Sequence, residues 1–172
     1  MKNLPNQFFY SKEEDRLNVI SHGIGFILSM IGLIFLLNKG LQDFNLLRFL
    51  SFLIYGISLS TMYIASTLYH NSKTPEGRYK FRLFDMVSIY LLIAGSYTPF
   101  TLTVLIDSGG LTLFLLVWVI AFFGIIWKIF TVGSYNISST LLYIFMGGLW
   151  LFFIDAFINE IPQNALMWIY AS

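Results

Sequence analysis

Apolar residues in this chain come in five long runs, not in the strict alternation of a half-buried strand. The runs cover 19–37 ("VISHGIGFILSMIGLIFLL"), 46–69, 86–106 ("MVSIYLLIAGSYTPFTLTVLI"), 111–130 and 139–158. Each approaches the roughly 20 residues a helix needs to cross about 30 Å of hydrocarbon. Only helices and closed barrels satisfy their backbone in lipid, and continuous runs select helices. The pattern therefore predicts an all-α, polytopic transmembrane helical bundle of five spans.

Polar stretches divide the chain further. Residues 1–18 form a polar N-terminal segment, 19–158 the membrane domain, and 159–172 a tail. That tail, ending "ALMWIYAS", reads either as an interfacial segment or as the start of a sixth span, the chain then being cut short. No small-residue cleavage site follows the first run, so that span is expected to stay as a signal anchor. The connections "NKGLQDFN", "HNSKTPEGRYKFRLFD", "DSGG" and "TVGSYNIS" are short and rich in turn-forming residues.

Composition agrees with the pattern. Hydrophobic residues make up 57% and charged residues 11% of the chain, against about 45–50% and about 25% in an average soluble domain. The absence of cysteine excludes disulfides and thiolate metal sites. A formal net charge of +1 gives no reason to expect nucleic acid as a partner. The expected partner is the lipid bilayer. The placement of charge is more informative than its sum. With the N-terminus cytoplasmic, Lys2, Lys12, Arg16, Lys73, Arg78, Lys80, Arg82 and Lys128 lie inside, and only Lys39 and Arg48 outside. The positive-inside rule favours that orientation.

It also puts both histidines, and the aspartate that opens the third run, on the cytoplasmic edge. Ser66 and His70 stand at i and i+4, one turn apart on one helix face. His70 reads as an interfacial anchor or as a metal ligand, and Ser66 as a hydroxyl bonded to its own helix or as a support for that ligand. Asp85, just before an apolar run, reads as a helix N-cap, a site carboxylate, or both. His22 reads as a residue packed among Gly23 and Gly25, or as a further ligand. Pro99, four residues after Gly95, predicts a kink in the third span. Gly147 and Gly148 suggest close helix packing, and Asp155 a solvated outer end. No metalloprotease, phosphate-loop or nucleophile-elbow motif is present.

Three stretches, "EEDRLNVISHGIG", "STLYH" and "RLFDMVSIYLLIAGSYTPF", in this order and spacing resemble the haemolysin III family. That family is related to the adiponectin and progestin receptors and, more distantly, to alkaline ceramidases. The resemblance covers roughly residues 13–158 and implies a seven-helix fold whose last two helices are absent here. It also implies zinc near the cytoplasmic side. In the receptor branch the metal is held by the histidine of a Ser-x-x-x-His motif and by a His-x-x-x-His pair on the last helix, with an aspartate beside it. These map onto Ser66, His70 and Asp85; the last-helix pair has no counterpart in this sequence, and Met86 stands where relatives often carry a histidine.

The resemblance implies a zinc-dependent hydrolase of a lipid amide in the full-length form, in a bacterial plasma membrane. His70 would be the ligand, with His22 as an additional one, and Asp85 and Ser66 would serve the reaction. Two other functions stand beside it. One is a membrane-perturbing or pore-forming haemolysin, which would require a homo-oligomer. The other is a non-catalytic, truncated family member.

Overall fold

The computed structural model describes residues 10–42, 45–131 and 137–161. Helix α1 (Lys12–Gln42) is followed by α2 (Leu46–Asn71) and α3 (Pro75–Pro99). Beyond Pro99 the chain runs through wide helical turns at Phe100–Val104 and Ile106–Gly110 into α4 (Leu111–Thr131). The last crossing is built from α5 (Ile137–Gly147), a tight helical turn at Leu149–Phe153, and α6 (Ile154–Glu160). Among the described residues there is no strand, and five helical segments are long and apolar enough to cross a membrane.

The helices pack in sequence order: α1 on α2, α2 on α3, and α3 on α4, with α5 against α3 and α4. Tyr90, Ala94 and Tyr97 of α3 meet Leu113, Val117 and Ala121 of α4, with Met146 and Leu149 closing the core. The outside is as greasy as the inside. Phe35, Phe122, Phe130 and Phe152 all point outward, Phe130 at 83% exposure. Water would penalise such a surface, whereas hydrocarbon does not. The protein is a multi-pass helical membrane protein.

Small and polar residues fill the helix interfaces, as expected where lipid removes the hydrophobic drive for association. The Ser29 and Ser60 hydroxyls lie 2.9 Å apart between α1 and α2. Gly95 of α3 meets Ser58 of α2 so closely that any Cβ would collide with the serine side chain.

The helices extend beyond the apolar runs because their ends carry their own signals. Ser11 and Glu14 form a reciprocal capping box: the Glu14 N–H donates to Ser11 Oγ (3.2 Å) and the Ser11 N–H to the Glu14 carboxylate (2.8 Å). That starts α1 at Lys12. Thr74 accepts from the Gly77 N–H (3.2 Å), and Pro75 occupies the first helical position. The long basic connection expected before residue 86 therefore shrinks to Ser72, Lys73 and Thr74, and its charged part becomes the start of α3.

Two further expectations change form. At Pro99, where a kink is expected, the helix continues into wider turns: the Leu105 N–H reaches back five residues to the Phe100 carbonyl (2.9 Å). The turn into α4 depends on Gly109, whose φ of +88° lies in the left-handed region open to glycine. Among the described residues Gly147 and Gly148 do not mediate close helix packing. A Cβ on Gly147 would meet none of those residues, and one on Gly148 would meet its own neighbouring turns at Ile144, Phe145 and Leu151. They mark instead where α5 gives way to the tight turn. There the Tyr97 hydroxyl lies 2.9 Å from the Met146 carbonyl and 2.8 Å from that of Gly147, and accepts from the Trp150 N–H at 3.2 Å. A break in the backbone ladder at membrane depth is thereby given partners.

Asp155 is exposed in the first turn of α6. Of the expected terminal segments, residues 1–9 and 162–172 lie outside the described residues.

Candidate functional site

The ends of α1 and α2 and the first half of α3 bring the sequence-derived candidates together. Thr74 caps α3, so Asp85 sits well inside that helix and the N-cap reading of Asp85 falls. Its carboxylate instead faces Ser66 of α2, with both imidazoles and Arg82 nearby. Ser66 itself is buried, 5% exposed. His22 and His70 have parallel rings with centroids 6.0 Å apart. His22 also lies 6.1 Å from the Tyr63 ring, which covers Gly25. One residue on, the Met86 carbonyl accepts from the Tyr143 hydroxyl (2.9 Å), which ties α5 to α3.

Next to this group stands a charged network the sequence reading did not single out. Asp15 of α1 lies 2.9 Å from His70 Nδ1. It also accepts two bonds from Arg78 of α3, at 2.8 and 2.9 Å, one on each carboxylate oxygen. Arg78 lies in the first turn of α3, not in the connection expected after α2. It is 2% exposed, directs its guanidinium at the His70 and Ser72 carbonyls (3.4 and 3.3 Å), and stacks 4.9 Å from the Tyr69 ring centre. One α1 carboxylate therefore joins the ends of all three helices. A cleft of about 860 Å³ opens beside it, lined in part by Tyr10, Arg16, Val19, His70 and Arg78.

The missed residues had left a signal. The capping box "SKEE" starts α1 early enough to include Asp15. Asp15, Asn18 and His22 then fall at i, i+3 and i+7, on one face.

Comparison with other proteins settles the family. The haemolysin-III related family matches residues 10–172, nearly the whole chain. The chain belongs to the haemolysin III family. It is 42% identical over 137 residues to Hemolysin-3 of Bacillus cereus, covering 80% of this chain and 63% of that one. It is 38% identical over 140 residues to the Hemolysin-3 homolog of Bacillus subtilis (strain 168), covering 81% and 66% respectively. This haemolysin III protein thus spans just under two thirds of the length of these curated relatives. No solved structure matches it.

The zinc that the resemblance implies can be tested against these donors. A catalytic zinc site takes three protein ligands and leaves one position open. Among the described residues no three His, Asp or Glu side chains are placed to hold a metal together. The two imidazoles lie parallel, and the Asp15 carboxylate already engages His70 Nδ1. With only two histidines in the sequence, the donor set present does not fit a complete zinc centre.

Proposed function

We propose that this chain carries part of a metal-dependent hydrolase centre acting on a lipid amide, completed by donors from outside these 172 residues. The observation that carries the reading is the convergence of His22, Ser66, His70 and Asp85 from three different helices. An isolated interfacial histidine needs no such company. In this reading His70 is a zinc donor and His22 an auxiliary one. Asp85, beside Ser66, would be the carboxylate placed to orient a water and take its proton. A second copy of the chain is one source of further donors. The orientation is N-terminus cytoplasmic in a bacterial plasma membrane, supported by the basic residues and by the bacterial relatives.

The test is an equilibrium zinc titration of the detergent-purified chain, compared with His70→Ala and Asp85→Asn. Weak binding that His70→Ala abolishes supports the reading. Equal uptake by wild type and His70→Ala contradicts it.

Membrane lysis is a second reading, favoured by the hemolysin names of both relatives. Dye release from lipid vesicles at low chain-to-lipid ratio would support it, and intact vesicles would oppose it.

A further inference from the structure

The Asp15–Arg78 network has no counterpart in the roles proposed so far, yet it touches the same imidazole. Two groups compete for His70 Nδ1. The Asp15 carboxylate oxygen lies at 2.9 Å, and the Asn18 amide nitrogen at 3.4 Å. If Nδ1 carried a lone pair, Asn18 could donate to it, but a carboxylate oxygen would then face that lone pair at 2.9 Å. With a proton on Nδ1 the short contact becomes a charge-assisted hydrogen bond, roughly twice as strong as a neutral one. The Asn18 contact, at the limit of bonding distance, loses little. The shorter, charged partner decides the tautomer.

Asp15 is itself fixed. Arg78 grips both of its oxygens, and the guanidinium is in turn held by two carbonyls and the Tyr69 ring. The carboxylate can neither rotate away nor swing toward water without breaking a bidentate pair on a side chain that is 2% exposed.

We infer that Asp15, anchored by Arg78, is a positioning residue that holds His70 as the Nδ1–H tautomer and leaves Nε2 as its basic, ligand-accepting nitrogen. This deepens the reading of His70 as a donor, but it concerns the metal-free protein and stands or falls separately. A carboxylate or carbonyl behind a histidine sets which nitrogen is available and raises its basicity.

The chain has only two histidines. Protein labelled with ¹⁵N-histidine alone, in detergent micelles, therefore gives only two imidazoles to resolve. A His22→Asn variant assigns the remaining one to His70. The spectrum is taken without metal at about pH 9, well above the ordinary imidazole pKa near 6.5. In wild type, His70 should show a protonated Nδ1 and an unprotonated Nε2. In Asp15→Asn, which keeps the shape and removes the charge, the population should move toward Nε2–H, the form a free imidazole prefers. Asp15→Glu should restore the wild-type pattern in part. Wild-type His70 in the Nε2–H form would overturn the inference whatever the variants do. So would an Asp15→Asn spectrum identical to wild type. Zinc binding enters none of these outcomes, so a failed zinc titration leaves the inference intact, and the reverse also holds.

Discussion

Removing Asp15 should destabilise the protein more than removing Arg78, although both changes break the same pair. In Asp15→Ala a guanidinium that is 2% exposed loses both bonds to its carboxylate. Removing one partner of a buried ion pair costs about 3–5 kcal/mol, and the His70 and Ser72 carbonyls and the Tyr69 ring, which stay against the guanidinium, hold the loss to the lower end of that range. In Arg78→Met, which keeps an unbranched stem over Tyr69, the remaining carboxylate is 20% exposed and still faces His70 at 2.9 Å. Partial hydration limits that loss to about 1–3 kcal/mol, the cost of unmet charge-assisted bonds. The double variant should cost less than the two singles added, with a coupling on the order of 1–3 kcal/mol. Equilibrium unfolding in mixed micelles, followed by tryptophan fluorescence, measures all three differences. An Asp15→Ala cost below about 1 kcal/mol, or single costs that add within about 0.5 kcal/mol, would refute the view of this pair as a buried, coupled clamp.

Three further changes probe other parts of the fold by the same unfolding assay. Tyr97→Phe removes the hydroxyl that partners the Met146 and Gly147 carbonyls and should cost about 1–3 kcal/mol; no measurable change would mean that the break after α5 finds other partners. Gly95→Ala forces a methyl group into Ser58 and should cost about 1–3 kcal/mol, with Ser58→Gly relieving part of it. Thr74→Ala removes the cap that starts α3 and should cost about 1 kcal/mol, whereas Thr74→Ser should be nearly neutral.

The membrane architecture was legible because lipid imposes one rule on every span: a long apolar run forms a helix with all its backbone bonds inside. The second run, 46–69, matches α2 within two residues. What hydropathy could not reveal was where helices continue past the greasy stretch. Asp85 therefore looked like a helix start although α3 begins at Pro75, and Arg78 looked like a loop charge although it is buried. In both places the deciding information was local, in Thr74–Pro75 and in Ser11 with Glu14. The association of Ser66 with Asp85 and of His22 with His70 depends on how α1, α2 and α3 meet, which spacing within one helix does not encode. The role of Asp15 depends on partners 55 and 63 residues away, beyond the reach of any sequence periodicity.

The most direct test of the proposed centre is the zinc K-edge X-ray absorption spectrum of the zinc-equilibrated, detergent-purified chain, recorded beside that of His70→Ala. The account predicts imidazole scattering with zinc–nitrogen distances of about 2.0–2.1 Å in wild type, reduced or lost in the variant. An all-oxygen shell without imidazole, the same in both proteins, would contradict it.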